Sequence, residues 1–176
     1  MEFCELLLKR RSIISYKDEP VLEKDVNEIV KAALYAPSWR NCESGRYYVA
    51  LSDEAINTVY ESLPDFNKAS TKNSAYIIAT YKLNESGTVG TGEYTDDLKD
   101  RWGAYDLGLQ NAYLMLEASE LGYDTLVMGL RDVDKIREYF AIPDDEVIMP
   151  VIAIGKRAVE PNLKKRKEVE EVLKIK

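Results

Sequence analysis

The 176-residue sequence contains no histidine and only two cysteines, Cys4 and Cys42. The lack of histidine excludes Ser-His-Asp and Cys-His catalytic groups and any metal site with imidazole ligands. Two cysteines are too few for a Cys₄ zinc or iron–sulfur site, and we expect both to be reduced thiols rather than a disulfide. The sequence therefore predicts no metal site.

Positive charge and long apolar runs are also scarce. The 24 lysines and arginines are outnumbered by 31 aspartates and glutamates, which gives a net charge of −7 at pH 7. An acidic chain binds the phosphates of nucleic acids or anionic lipids poorly, so we expect neither nucleic acid nor membrane as a partner. No segment reaches the roughly 20 apolar residues that span a bilayer, and the N-terminus lacks the charge order of a secretory signal. We predict a cytoplasmic protein.

Alternating helical and strand patterns indicate one α+β domain over residues 1–176. Apolar residues at helical spacing predict helices over residues 2–10, 22–36 and 97–121, and two shorter helices capped by Asp53 and Asp132. β-Branched and aromatic runs predict strands over residues 46–51, 75–83, 124–128 and 147–155. Residues 84–96 have no apolar period and are predicted to form a loop, whereas Tyr105 and Tyr113 are predicted to be in the core.

Two basic clusters lie near the ends of the chain: Arg10-Arg11-Ser12, and Lys164-Lys165-Arg166 in a basic tail. Guanidinium groups and a hydroxyl can bind a phosphate through charge-assisted hydrogen bonds, but such runs are also common as solvated surface charge. The glycines at positions 87, 90 and 92 are not spaced as in the dinucleotide-binding fingerprint, and we interpret them as part of a surface loop.

Asp106, Gln110 and Cys42 are three further candidate functional residues. Asp106 and Gln110 are one turn apart on the longest predicted helix and share a face, either as an exposed pair or as buried groups with partners. Cys42 is interpreted as a small packed side chain rather than a redox-active thiol, because no neighbouring group favours its thiolate.

Several segments, read together, resemble one protein family. They are RRSIISYKDEPV (10–21), APSWRN (36–41), residues 103–129, PVIAIGK (150–156) and PNLKKRKEVEEVL (161–173). Their order and spacing resemble the flavin-dependent nitroreductase family over essentially the whole chain. The resemblance implies a nitroreductase-like α+β fold with a central, mainly antiparallel sheet flanked by helices, in an intertwined homodimer. Residues 156–176 would be a C-terminal extension that wraps the partner subunit.

The resemblance also implies a cofactor and a reaction. FMN would bind at the subunit interface, NADH or NADPH would donate hydride, and nitroaromatics, quinones or related small molecules would accept electrons in a ping-pong cycle. The residues that match the family's cofactor-binding positions are Arg10, Arg11, Ser12, Ser38, Asn41, Asn67, Met128, Gly129, Lys164 and Arg166. No side chain is identified as catalytic, because the flavin N5 carries the chemistry.

The implied roles divide these residues into groups. Arg10, Ser12, Lys164 and Arg166 would hold the phosphate and ribityl chain, with Arg11 in the same motif. Ser38 and Asn41 would reach the partner's flavin, and Asn67 would lie at the pyrimidine edge. The backbone N–H groups of Met128 and Gly129 would lie near N5 and O4, and Trp102 would either cover the ring as a lid or pack in the domain.

Two positions depart from the family pattern. Ile14 stands where members commonly have a basic residue near flavin N1 and O2, which predicts a lower flavin potential. Residues 41–45 read NCESG in place of the common N-x-Q-P-W, which predicts a narrow acceptor range. These departures keep open an alternative, a flavin-binding protein of the same fold with a different redox reaction or little turnover.

Overall fold

The computed structural model describes residues 2–90 and 92–176. In chain order, its elements are α1 (Phe3–Lys9), α2 (Glu23–Ala33), a 3₁₀ turn (Trp39–Asn41), β1 (Gly45–Ala50), α3 (Asp53–Glu61), α4 (Asp65–Ser70), β2 (Ala75–Lys82), β3 (Thr88–Val89), β4 (Glu93–Tyr94), α5 (Arg101–Glu120), β5 (Asp124–Met128), α6 (Val133–Phe140), β6 (Glu146–Gly155) and α7 (Val169–Val172). Within the described residues, no helix has the length and apolar character needed to cross a membrane.

The central sheet has the strand order β1-β2-β6-β5, and each neighbouring pair is antiparallel. Side chains alternate between its two faces, so Ile77 and Ile78 enter different core clusters. Ile77 packs in a cluster with residues of α2 and α5, and Ile78 packs in a cluster with residues of α3 and α6. Helices therefore cover both faces of an antiparallel sheet, which confirms the predicted α+β fold.

The segment that follows α1 pairs with the edge of this sheet. Ser12 forms a parallel bridge with Thr125 of β5, and the Ile13 N–H donates to the Thr125 carbonyl at 3.1 Å. Farther along, the Lys17 N–H donates to the Lys156 carbonyl at 2.8 Å, just beyond the end of β6. This pairing brings the N-terminal basic cluster to the point where the C-terminal tail begins.

Several local predictions need correction. Ser52, not Asp53, caps α3, because the Ser52 hydroxyl accepts from the Ala55 N–H at 3.2 Å. Asp132 caps α6 as predicted, accepting from the Lys135 N–H at 3.1 Å. The predicted loop 84–96 contains the small β3–β4 hairpin, although residue 91 lies outside the described residues.

The prediction that Tyr105 and Tyr113 are in the core is wrong for the single chain, since they are 58% and 43% exposed. The buried face of α5 instead includes Asp106, Leu107 and Leu114. The helix carries apolar residues on all sides, so the helical spacing of the tyrosines could not identify the face that packs on the sheet.

Candidate functional site

The two basic clusters meet around one cavity of about 490 Å³. Its walls include Arg11 and Ser12 from the N-terminal segment and Lys164 and Arg166 from the tail. The Ala158 N–H donates to the Ser15 carbonyl at 3.0 Å. This hydrogen bond places residues 159–166 alongside residues 11–15, and the tail therefore reaches the cavity. The volume lies within the range of small-molecule sites.

Like charges dominate this cavity, which we call the basic cavity. The pKa of Arg10 lies below its ordinary value, first because the side chain is partly buried and then because Arg166 and Arg11 are nearby cations. Glu160 also lines the cavity, but its carboxylate accepts from Arg157 Nη1 at 2.7 Å. Cationic groups beside a serine hydroxyl are the donor set that binds a phosphate monoester, so the residues present fit such a group.

Arg157, which the sequence did not single out, orients the N-terminal cluster. Its side chain forms a two-pronged pair with the buried carboxylate of Asp124, Nη2 to Oδ1 at 2.6 Å and Nε to Oδ2 at 2.9 Å. The same Nη2 donates to the Lys9 carbonyl at 3.1 Å, immediately before Arg10. Lys9 Nζ in turn donates to the Ser119 carbonyl at 2.7 Å, so the end of α1 is fixed on two sides.

Met128 and Gly129 lie at the end of β5. Met128 is buried in the core, whereas Gly129 is exposed and lines a second cavity of about 410 Å³ together with Asn111, Met115 and Arg131. The Arg131 guanidinium donates to the Gly129 carbonyl and to the carbonyl of Ile148, which holds the chain after β5 against β6. Only partial burial lowers the pKa of Arg131.

Asn67 lies on α4, a short helix that the sequence did not predict. The residue is buried, and its carbonyl accepts from Thr71 Oγ1 at 2.8 Å. Among the described residues that line the basic cavity and the Gly129 cavity, Asn67 does not occur. Its predicted role at the edge of a ring system therefore remains a proposal.

Ser38 and Asn41 belong to a tight turn over residues 38–43. Ser38 lines a third cavity, of about 260 Å³, with Trp39, Trp102 and Asp106. Arg40, Asn41 and Glu43 all have positive φ values, 47°, 58° and 50°, which are unfavourable for side-chain-bearing residues. The turn is therefore held in a strained conformation by its surroundings.

Trp102 packs against this turn. Its ring centroid lies 5.0 Å from that of Trp39, and its Nε1 donates to the Asp96 carboxylate at 2.9 Å. The Trp39 Nε1 donates to the Thr88 carbonyl at 2.9 Å, which joins the turn to the loop between β2 and α5. Of the two roles open to Trp102 from the sequence, the structure of the chain shows packing.

Asp106 and Gln110 are both buried, at 2% and 1% exposure, so they are not an exposed pair. Asp106 has the partners that a buried carboxylate requires, the Trp39 N–H at 2.9 Å and the Ser86 hydroxyl at 2.8 Å. Gln110 has no hydrogen bond from either amide atom within the described part of the chain. Helical spacing predicted the shared face, but nothing in the sequence indicated Ser86 as a partner.

Comparison with known proteins identifies the family. The nitroreductase family model matches residues 7–156. A Bacillus subtilis (strain 168) protein named "Putative NAD(P)H nitroreductase YdgI" is 31% identical to the chain over 190 aligned positions, which cover 90% of each protein.

Solved structures agree on the fold. One is a structure from Exiguobacterium sibiricum 255-15, described as "a putative nitroreductase in complex with FMN". It superposes with a TM-score of 0.85 at 24% identity, over 100% of this chain and 98% of that one. The gut-bacterial enone reductase CLA-ER superposes with a TM-score of 0.86 at 18% identity, over 99% and 97% of the two chains. Because the family model spans most of the sequence and these relatives align over nearly its full length, the chain belongs to the nitroreductase family and is an oxidoreductase.

Proposed function

We propose that the chain is an FMN-dependent oxidoreductase that takes hydride from NADH or NADPH and reduces nitroaromatic, quinone or related small acceptors in a ping-pong cycle. The observation that carries the proposal is the basic cavity, in which Arg11, Ser12, Lys164 and Arg166 converge from the two ends of the chain. The FMN in the Exiguobacterium structure and the NAD(P)H in the name of the Bacillus relative support it.

The phosphate end of the cofactor is the best defined. Arg11, Lys164 and Arg166, with Arg10 beside the cavity, would bind the phosphate through charge-assisted hydrogen bonds, and the Ser12 hydroxyl would donate to the phosphate or to the ribityl chain. A dianion among these cations relieves the like-charge repulsion that acts on Arg10. Bound FMN supplies the redox chemistry, the acceptance of hydride and its transfer to an acceptor.

The ring system would extend from this cavity toward the end of β5. The backbone N–H groups of Met128 and Gly129 would lie near its N5 region, and Asn67 would lie at the pyrimidine edge. Ser38 and Asn41 of the partner subunit would contact the ring and ribityl region. The Ser38 hydroxyl accepts from the Glu43 N–H at 3.1 Å and keeps its own proton for donation to a ligand.

The proposed assembly is a homodimer in which residues 156–176 wrap the partner. Apolar side chains of the tail are largely exposed in the single chain, among them Leu163 at 76%, Val172 at 67% and Ile175 at 85%. The Gly129 cavity is lined mainly by apolar residues and offers surface that a second subunit can cover. Sedimentation equilibrium of the full chain tests this part, and a monomer at micromolar concentration would refute it.

One observation favours the alternative of a flavin protein with a different redox reaction or little turnover. Ile14 lines the basic cavity and is 66% exposed, so an apolar side chain faces the space where a cation is expected. Without that cation, negative charge on the reduced ring is less stabilised and the potential falls. A midpoint potential measured beside an Ile14→Lys variant tests this reasoning, since the variant should raise the potential.

The decisive experiment starts from protein purified without added flavin. We expect a flavin absorption spectrum, or FMN binding by the apoprotein, followed by bleaching under argon with NADH or NADPH. Arg166→Gln should weaken FMN binding by at least about tenfold, the loss of one charge-assisted hydrogen bond, whereas Arg101→Gln on the exposed start of α5 should not. No FMN binding refutes the proposal, and binding without bleaching by either donor supports the alternative.

A further inference from the structure

The interior of the 38–43 turn contains a hydrogen-bond network that the proposed function does not use. Its centre is Asp106 on α5, whose Oδ2 accepts from the Trp39 N–H at 2.9 Å and from Ser86 Oγ at 2.8 Å. Cys42 Sγ lies 3.9 Å from the same oxygen. One buried carboxylate oxygen therefore joins α5, the turn and the start of the loop after β2.

The network continues beyond Asp106 with a fixed direction. The Ser86 proton is donated to Asp106, so Ser86 Oγ accepts from its other neighbours, the Ser44 hydroxyl at 2.9 Å and the Cys42 thiol at 3.2 Å. Ser44 and Ser86 are themselves 0% and 1% exposed. Water does not compete at these positions, and a bond lost here leaves a buried polar group without a partner.

The turn needs such an anchor because its backbone is strained. Arg40, Asn41 and Glu43 all occupy the left-handed region, a combination that a free segment of this sequence does not favour. The hydrogen bond from the Trp39 N–H to Asp106 lies just before these residues, and the contacts of Cys42 and Ser44 lie among and after them. The network thus fixes both ends of the strained part of the turn.

We propose that Asp106 is a positioning residue, which holds residues 38–43 in the conformation that presents Ser38 and Asn41 to the flavin of the partner subunit. The inference rests on the proposed function. Asp106 does not bind the cofactor in this scheme, because its carboxylate is 2% exposed and its Oδ2 already accepts from the Trp39 N–H and from Ser86. It acts through the Trp39 backbone and through Ser86.

The test compares three variants. Asp106→Leu removes the acceptor, whereas Asp106→Asn keeps an oxygen that can accept both bonds. Gln110→Met is the matched control, because Gln110 lies one turn farther along α5, is equally buried and has no partner within the described residues. FMN affinity is measured by quenching of flavin fluorescence under conditions in which each variant is folded, and amide hydrogen exchange reports on residues 38–43.

For Asp106→Leu we expect FMN affinity to fall by at least about tenfold and exchange in the turn to accelerate, because the Trp39 and Ser86 donors lose their acceptor and only a small fraction of molecules then keeps the turn in the binding conformation. The FMN affinity of Asp106→Asn should stay within about threefold of the wild type, because the amide oxygen can accept the same two hydrogen bonds. Gln110→Met should match the wild type. A folded Asp106→Leu variant with wild-type affinity and wild-type exchange would overturn the inference.

Two further outcomes are also decisive. If Asp106→Leu does not fold, Ser86→Ala takes its place, and unchanged affinity and exchange in that variant overturn the inference. If the wild type binds no FMN, the proposed function fails by itself, and the exchange rates in the turn alone decide whether Asp106 anchors it.

Discussion

The pair between Arg157 and Asp124 gives a quantitative prediction for stability. Arg157→Met removes both side-chain bonds to a carboxylate that is 6% exposed and leaves this charge buried. Removing one partner of a buried pair costs about 3–5 kcal/mol. The Arg157 N–H still donates to Asp124 Oδ2 at 3.1 Å in the variant, so we expect the lower end, about 3 kcal/mol. For a chain of this size the midpoint of thermal unfolding should fall by about 6–12 °C.

The measurement is thermal and urea unfolding followed by far-UV circular dichroism at one fixed protein concentration, because the stability of the proposed dimer would depend on concentration. The matched control is Lys156→Met, which removes the ion pair with Glu19 at 2.7 Å between exposed side chains and should cost less than about 1 kcal/mol. The double variant Arg157→Met/Asp124→Asn should recover most of the loss, since no charge then stays buried and the amide oxygen still accepts from the backbone N–H of residue 157. Equal effects of Arg157→Met and Lys156→Met, or no recovery in the double variant, would refute the reasoning.

Three shorter predictions concern other parts of the chain. A hydrogen bond to Asp100 raises the pKa of Tyr94 to about 12, so the stability that this bond contributes is complete below about pH 10 and is lost as the pH rises through 12. In Asp100→Asn the step in tyrosinate absorbance that belongs to Tyr94 should move back toward pH 10, and Tyr94→Phe identifies that step by its loss. Gly103→Ala should lower the free energy of unfolding, measured by urea denaturation, by about 2 kcal/mol, because a Cβ at this position meets the Tyr81 ring. A variant as stable as the wild type would contradict this. Removal of residues 162–176, all exposed, should weaken FMN binding by about 100-fold or more through the loss of two cations while the far-UV spectrum changes little; undiminished binding would exclude the tail from the site.

Helices and strands were predicted correctly from the sequence where their buried positions produce a pattern of apolar residues. The strand β2 was predicted to within one residue because nearly all of its positions are buried. The short helix α4 was missed because only Asn67 among its residues is buried, which leaves no apolar period. The start of α5 was placed at residue 97 instead of Arg101, because Lys99 has a φ of 50°, a left-handed conformation that an α-helix does not contain.

The residues of the candidate site could be predicted from the sequence, but their arrangement around one cavity could not. Each basic cluster was visible alone, but their meeting depends on the pairing of Ser12 with Thr125 and of Ser15 with Ala158, contacts between positions more than a hundred residues apart. Local periodicity carries no information on such pairings, and only the resemblance to a family linked the clusters. The same limit applies to Arg157 and Ser86, whose partners are distant in the sequence.

The bridge between Ser12 and Thr125 has a consequence for handling the protein. An open edge strand offers unpaired N–H and C=O groups to other molecules and is a starting point for aggregation. Here the backbone beside β5 belongs to the same segment as Arg11 of the basic cavity and the adjacent Arg10. We expect repulsion between Arg10, Arg11 and Arg166 to weaken the pairing of this segment with β5 when no anion balances their charge. Solutions of flavin-free material should therefore stay clear longer in phosphate than in a buffer whose anion binds weakly.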